Sequence, residues 1–116
     1  MLPEANWIER ILLFIGRRKG FLVKGDSMLP TLKNGDAVLI APKAKPTVGD
    51  IVLAQHPFKQ SVKILKRIGE IDAQGNYFIV GDNPAESTDS RTFGAVSVKN
   101  ILGKAVSRLK YQSNNR

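Results

Sequence analysis

Short runs of β-branched and aromatic residues recur along most of this chain, and a turn signal bounds each run. Asn34-Gly35-Asp36 and Gln74-Gly75-Asn76 are two of these signals, in which glycine, asparagine and aspartate favour reversal of the chain. Strands of this length at this spacing are typical of antiparallel sheets. The sequence therefore predicts a mainly β fold, formed by curled antiparallel sheets or a partly open barrel. The predicted strands are residues 21–24, 37–41, 51–55, 62–68, 77–80, 95–98 and 101–109.

One short helix is predicted at the N-terminus. Residues 7–16 form an apolar run interrupted by Glu9 and Arg10, too short for the ~20 residues of a membrane span and without the leader of a signal peptide. We expect residues 1–19 to form an amphipathic helix and a basic linker, with the helix packed on the domain. The alternative is a helix lying on a membrane, with residues 17–19 at the headgroups. Four aliphatic side chains share the apolar face: Ile8, Ile11, Leu12 and Ile15.

Composition excludes several kinds of site. The chain has no cysteine and one histidine, so disulfides, zinc fingers, iron–sulfur clusters and a thiol nucleophile are excluded, and we expect no metal or other cofactor. Eighteen lysine and arginine residues against 10 aspartate and glutamate residues give a net charge of +8. The basic residues are scattered and carry no nucleic-acid-binding signature. We therefore interpret them as a solvated surface and predict no nucleic-acid partner.

A first polar segment, residues 25–36, is a candidate for nucleophilic chemistry. It places Ser27 between the end of a predicted strand and an extended stretch fixed by Pro30. Gly25 would let another backbone approach this serine closely. The alternative is an ordinary, well hydrogen-bonded β-turn.

A second polar segment, residues 81–94, holds hydroxyl, carboxylate and guanidinium groups at nearly alternate positions. An Asp89–Arg91 pair would stabilise such a loop and leave Ser87 to point elsewhere. A hydrogen-bonded turn is again the alternative.

A nucleophilic serine needs a base. His56 precedes a proline at a predicted hairpin tip, where we expect it to be exposed and loosely held, so it is a weak candidate. Lys66 is the better one, because a desolvated lysine has a lowered pKa, and Arg67 would push that pKa the same way. Lys63, on the polar face with Arg67, fits a surface lysine instead. Strand alternation places four residues on the other face: Val62, Ile64, Lys66 and Ile68.

These segments resemble the type I signal peptidases and their relatives, which use a serine–lysine dyad. The sequence GDSMLPTLKNGD at 25–36 is similar to the nucleophile segment of the family, and LKRIG at 65–69 to its lysine strand. Residues 81–94 resemble its last conserved segment, and NILGKAV at 100–106 its closing strand. The resemblance covers residues 20–110 and implies the fold of signal peptidases and SOS-repressor proteases.

The resemblance implies a role for each candidate side chain. Ser27 would be the nucleophile, Lys66 the general base, and Ser87 the hydroxyl that orients the lysine nitrogen. The backbone N–H of Ser27 would form part of the oxyanion hole. Gly25 stands where some relatives carry a serine as a second oxyanion donor, so that donor is not assigned. The implied structural ion pair is Asp89 with Arg91.

The short chain and residues 81–91 resemble most the nickel-type superoxide dismutase maturation proteases, which remove a propeptide so that a His-Cys N-terminus can bind nickel. The resemblance implies a protein substrate, a nickel superoxide dismutase precursor, and nickel would belong to the product. It also implies a protease domain over residues 20–110. From the residues themselves we expect a C-terminal tail over residues 111–116 and no transmembrane span, and we expect a cytoplasmic protein. Two departures from the family are Gly69-Glu70 in place of glycine–aspartate, and the missing insert of the bacterial membrane enzymes.

Three other functions remain as alternatives. One is signal-peptidase-like processing of another protein at a membrane surface. A self-cleaving accessory protein of the SOS type would need Ala-Gly or Cys-Gly before the serine, and neither occurs among the 26 residues that precede Ser27. A non-enzymatic basic β-barrel binding module would show salt-dependent binding to nucleic acid without peptidase activity.

Overall fold

Within residues 2–109, six strands pair into one open antiparallel sheet, in the spatial order β1-β2-β6-β3-β4-β5. The computed structural model describes residues 2–109, so the predicted tail at 111–116 lies outside the described residues. The mainly β prediction is confirmed. The strands are β1 (Lys19–Leu22), β2 (Ala37–Ala41), β3 (Ile51–Gln55), β4 (Lys63–Ile71), β5 (Tyr77–Val80) and β6 (Ile101–Leu109).

Both faces of the central strands are covered by apolar side chains. In β3, Leu53 belongs to one core cluster, whereas Val52 belongs to a second cluster on the other face. The same alternation occurs in β4, where Leu65 joins the first cluster and Ile68 the second. β2 and β3 lie inside the sheet, on either side of β6. Their almost continuous apolar sequences are buried on both faces of the sheet.

The predicted strand at residues 95–98 is wrong. Val96 makes only an isolated bridge with Tyr77, through two backbone hydrogen bonds of 2.8 Å, and the chain then forms a 3₁₀ turn over Val98–Asn100. A short helix, α2 (Ser90–Phe93), was not predicted. It begins where the Asp89 carboxylate accepts the N–H of Arg91, the usual role of an N-cap aspartate.

The N-terminal helix, α1, spans Trp7–Phe14 and is held to the sheet by polar contacts. The Glu9 carboxylate accepts hydrogen bonds from Arg18 at 2.9 and 3.1 Å and from the Ser107 hydroxyl at 3.3 Å. Just before the helix, the N–H of Ala5 donates to the Arg108 carbonyl at 2.8 Å. No helix within residues 2–109 is long and apolar enough to cross a membrane.

The prediction that the apolar face of α1 packs on the domain is wrong. Of the four predicted residues, Ile8, Ile11 and Ile15 are about half exposed and only Leu12 is partly buried. Phe14 is 91% exposed, and the helix has no fully buried residue. The contacts of Glu9 turn the opposite side of the helix toward the sheet. The apolar stripe of α1 therefore faces outward.

Candidate active site

Ser27 lies in a tight loop between β1 and β2 that is fixed to the core by buried side chains. Met28 and Leu32 are each 1% exposed and fix the loop in the core. The N–H of Gly25 donates to Asn34 Oδ1 at 2.8 Å, and Gly25 has a φ of 81°, which other residues rarely adopt. Ser27 is half-buried between these anchors. Gly25 thus shapes the loop, and its own N–H is already bonded within it.

Lys66 is buried in the middle of β4, with 4% of its surface exposed. It pairs with Val52 of β3, which is fully buried, and its Nζ lies 3.0 Å from Ser87 Oγ. Burial lowers the pKa of Lys66; Asp89 acts to raise it and Arg91 to lower it further. The lowering is as expected from the sequence. Its charged contributor is Arg91, however, and not Arg67 as expected.

Asp89 organises the surroundings of Lys66. It is 1% exposed and accepts hydrogen bonds from the Ser87 hydroxyl, the Gly81 N–H at 2.8 Å and the Arg91 guanidinium at 2.6 and 3.0 Å. Burial acts to raise the pKa of Asp89, but the hydrogen bonds from Arg91, Ser87 and Gly81 hold it well below its usual range. Asp89 is therefore an ionised carboxylate, paired with Arg91.

The hydroxyl of Ser87 links this carboxylate to Lys66. A hydroxyl has one proton to donate, and the Ser87 proton goes to Asp89. Ser87 Oγ must then accept from the Lys66 amine, which fixes the direction of one Lys66 N–H. Within residues 2–109 no other hydrogen bond engages Nζ, so its remaining positions, including the lone pair of the neutral form, can serve another group.

Gly81 is the point at which the segments of Ser27 and Ser87 meet. A Cβ placed on Gly81 would stand 2.3 Å from Ser87 Oγ and 2.6 Å from the Ser27 carbonyl oxygen. That same carbonyl accepts the N–H of Asn83 at 2.8 Å. A residue without a side chain is therefore required between the candidate nucleophile and the hydroxyl that holds Lys66.

Ser27 and Lys66 both line one surface cleft of about 330 Å³. Val23, Met28 and Leu65 give the cleft an apolar wall. Among the described residues, no direct hydrogen bond joins the Ser27 hydroxyl to the Lys66 amine. In ligand-free sites such contacts are often long and tighten when substrate binds.

The sequence matches the model of the Peptidase S24-like family over residues 16–106. The chain belongs to this family. It is 30% identical to a mitochondrial inner membrane protease subunit 1 from Xenopus tropicalis, over 76% of this chain and 66% of the relative. It is 34% identical to a mitochondrial ATP-independent inner membrane protease subunit 1a from Arabidopsis thaliana, over 75% and 67%. A signal peptidase I from Buchnera aphidicola is 43% identical over 38% of this chain and 14% of its own length.

The chain spans about two thirds of the length of these mitochondrial relatives. The family match covers both polar segments, Lys66 and five of the six strands in full. A signal-peptidase-like type of protease is thus shown at the level of the family.

Sequence reasoning missed a second polar network in this S24-like site. Arg67 donates to both carboxylate oxygens of Asp82, at 2.9 and 2.7 Å, and the Thr31 hydroxyl donates to Asp82 at 2.6 Å. The hydrogen bond from Arg67 is the main cause that lowers the pKa of Asp82. The network ties the Ser27 loop and the polar segment of Ser87 to β4. The adjacency of Arg67 to Lys66 and of Asp82 to Gly81 was the available signal.

His56 is not loosely held, contrary to expectation. Its Nδ1 accepts the N–H groups of Phe58 at 3.1 Å and Lys59 at 3.2 Å, and its ring lies 5.1 Å from that of Phe93. Burial and then the charge of Lys59 lower the pKa of His56. His56 lines the cleft, but one ring nitrogen is committed to the turn.

Two smaller expectations concern β4 and metal binding. Val62 precedes the strand and is 40% exposed, so the apolar face of β4 is narrower than expected, while Lys63 is exposed as expected. Across residues 2–109, no group of three or more metal-ligating side chains converges.

Replacement of Gly81 by alanine is expected to reduce peptide hydrolysis by about 100-fold, because displacements near 1 Å in a catalytic site cost that much. The new Cβ would force Ser87 and the Ser27 backbone apart. Gly69→Ala is the matched control, since its Cβ would meet only Phe78 and Val80 atoms at 3.5 and 3.7 Å. Hydrolysis rates and melting temperatures are measured for both. Equal activity of the two variants would contradict the assignment of Gly81.

Replacement of Lys66 by methionine is expected to raise the free energy of unfolding at neutral pH, because it keeps the apolar stem and removes the charge. The pKa of Lys66 is lower in the folded chain than its unfolded value of about 10.4. At a pH between the folded and the unfolded pKa of Lys66, the unfolded chain binds more protons than the folded chain. The free energy of unfolding of the parent therefore increases as pH rises through this range.

The stabilisation by methionine is therefore largest below the folded pKa and disappears above about pH 10.4. Urea unfolding at pH 6, 8 and 10 measures it. Lys63→Met, at an exposed position of the same strand, is the control and is measured at the same three pH values. The same behaviour in both variants would show that Lys66 is not desolvated.

Proposed function

We propose that this chain is a serine endopeptidase in which Ser27 is the nucleophile and Lys66 the general base. The observation that carries the proposal is the buried Lys66 amine. It is oriented by Ser87 and lines the same cleft as Ser27. A base in this position needs a lowered pKa, and burial supplies it. Membership of the Peptidase S24-like family supports the reaction class.

The mechanism follows from the contacts of Lys66. Neutral Lys66 accepts the proton of Ser27 as Oγ attacks the scissile carbonyl, and the tetrahedral intermediate collapses to an acyl-enzyme when Lys66 protonates the leaving amine. Water then attacks the acyl carbon, with Lys66 again as base. While Lys66 is protonated, its charge is stabilised by Asp89 through Ser87. The Ser27 N–H supplies one oxyanion donor, and the Gly25 N–H is engaged elsewhere.

The proposed substrate is a protein precursor with a short N-terminal propeptide, specifically a nickel superoxide dismutase precursor in the cytoplasm. The resemblance of residues 81–91 to maturation proteases of that type supports this choice. Nickel would bind to the product, and the enzyme would need no metal. Signal-peptidase-like processing at a membrane surface is the second candidate, and the exposed stripe of α1 favours it.

The outward stripe of α1 has the composition of a membrane-binding surface. At 3.6 residues per turn its five exposed members fall on one side of the helix. Aromatic rings beside aliphatic groups suit the boundary between lipid headgroups and acyl chains. An exposed stripe of this kind marks an interaction site. Its members are Trp7, Ile8, Ile11, Phe14 and Ile15.

Exposed basic residues within and just after α1 favour an anionic bilayer as the partner of the stripe. Arg10, Arg17 and Lys19 are exposed, and the nearby carboxylate of Glu9 is already paired with Arg18. A second cleft, of about 590 Å³, opens beside the end of α1 and combines basic with apolar lining. This combination fits a lipid phosphate and the upper part of an acyl chain. We propose that α1 docks the enzyme on anionic membranes.

Ser27→Ala and Lys66→Ala are each expected to lower cleavage of a nickel superoxide dismutase precursor by about 10³-fold or more. The double variant should be no worse than either single one, because the two groups act as a unit. Lys63→Ala is the control and should keep activity to within about tenfold of the parent, because an exposed lysine contributes little to binding. Mass spectrometry of the products identifies the cleavage site. Activity that survives Lys66→Ala but not Lys63→Ala would contradict the assignment of the base.

Membrane docking is tested with Trp7, the one tryptophan of the chain, as the fluorophore. Its emission is expected to shift to the blue with vesicles of phosphatidylglycerol and phosphatidylcholine, and not with phosphatidylcholine alone. Phe14→Ser should weaken binding roughly tenfold or more, because it removes a large apolar contact. Phe58→Ser, also at an exposed phenylalanine, is the control. Unchanged Trp7 emission with anionic vesicles would contradict the docking.

A further inference from the structure

The cleft that contains Ser27 and Lys66 is rimmed by lysine side chains from separate segments. Lys24 follows β1, Lys59 lies in the turn between β3 and β4, and Lys63 begins β4. All three are exposed. Among the described residues that line the cleft, no aspartate or glutamate occurs. The rim therefore carries positive charge on several sides.

These rim lysines have no carboxylate partner within residues 2–109. The ion pairs found there join other residues: Arg18 with Glu9, Arg67 with Asp82, Arg91 with Asp89, and Lys104 with Asp50. Asp26 and Glu86 neighbour the two candidate serines in sequence, but both are exposed and outside the cleft lining. The positive charge of the rim is thus not neutralised within the cleft.

The same character continues beyond the cleft. An adjoining depression of about 400 Å³ shares Lys24 and Lys63 with it, together with Phe21 and Val62, and again has no acidic residue in its lining. The charge of Lys59 lowers the pKa of His56, so it acts on the groups of the cleft. A groove with apolar walls and unpaired cations attracts peptides that carry carboxylates.

We infer that this cleft selects peptides with an aspartate or glutamate near the scissile bond, and that Lys59 and Lys63 determine this specificity. The inference rests on the proposed peptidase function and names the substrate class of the same site. Exposed ion pairs are individually weak, so we expect the two lysines together to give a preference of about three- to tenfold.

The test uses two synthetic peptide pools that differ only in having aspartate and glutamate, or asparagine and glutamine, at the varied positions. Mass spectrometry reads the cleavage sites and relative kcat/KM at 20 mM and 500 mM salt. The acidic pool should be preferred by about three- to tenfold at low salt, and the preference should shrink at high salt because exposed charges are screened.

Lys59→Met and Lys63→Met should each reduce the preference for the acidic pool, and the double variant should reduce it further, to the part that Lys24 supplies. Lys99→Met is the matched control, at an exposed lysine outside the cleft, and should keep the parent preference. A preference that is unchanged in the double variant would overturn the assignment of these two lysines.

A binding measurement separates this inference from the proposed function. Fluorescence anisotropy of labelled glutamate and glutamine peptides with Ser27→Ala reads the preference without cleavage. If the parent cleaves both pools equally and Ser27→Ala binds both peptides equally, the specificity inference is wrong and the peptidase function stands. If neither pool is cleaved but the glutamate peptide binds more tightly, the charge selection stands and the peptidase function fails.

Discussion

The burial of a single amine, that of Lys66, governs the arrangement of this site. Lys66 lies in β4 opposite the fully buried Val52, where an ammonium without a partner would cost several kcal/mol. Ser87 accepts one hydrogen bond from the amine, and Asp89 fixes the Ser87 hydroxyl. Burial therefore makes the amine easier to deprotonate than it is in water, while Asp89 lies near enough to stabilise the charged form. A general base that must pick up and release a proton needs both conditions.

The same contacts hold the fold together around the cleft. Asp89 caps α2, pairs with Arg91 and accepts the N–H of Gly81, so the loop after β5 is closed by the carboxylate that orients Ser87. Asp82, which follows Gly81 in the chain, joins this loop to Arg67 in β4. Site geometry and loop stability are thus not separable here, and a substitution in either network is expected to alter both.

Sequence patterns predicted the features that depend on local periodicity. They failed for the features that depend on contacts between residues far apart in the chain. Alternation along β4 placed Lys66 among apolar neighbours, and the structure buries it there. The outward orientation of the apolar stripe of α1 was not predictable, because it depends on a hydrogen bond between Glu9 and Ser107, which are 98 residues apart. The Thr31–Asp82 contact likewise spans 51 residues. Residues 95–98 have a strand-like composition but form only one bridge. Composition alone does not show how many backbone hydrogen bonds a segment makes with a neighbouring strand.

The lowered pKa of Lys66 in the folded protein can be measured directly. Lysine labelled with ¹³C at Cε is titrated by NMR from pH 6 to 11, with Lys66→Met to assign the resonance. One Cε signal, that of Lys66, is expected to titrate well below the usual lysine pKa of about 10.4. Titration of Lys66 together with the other lysines would contradict it.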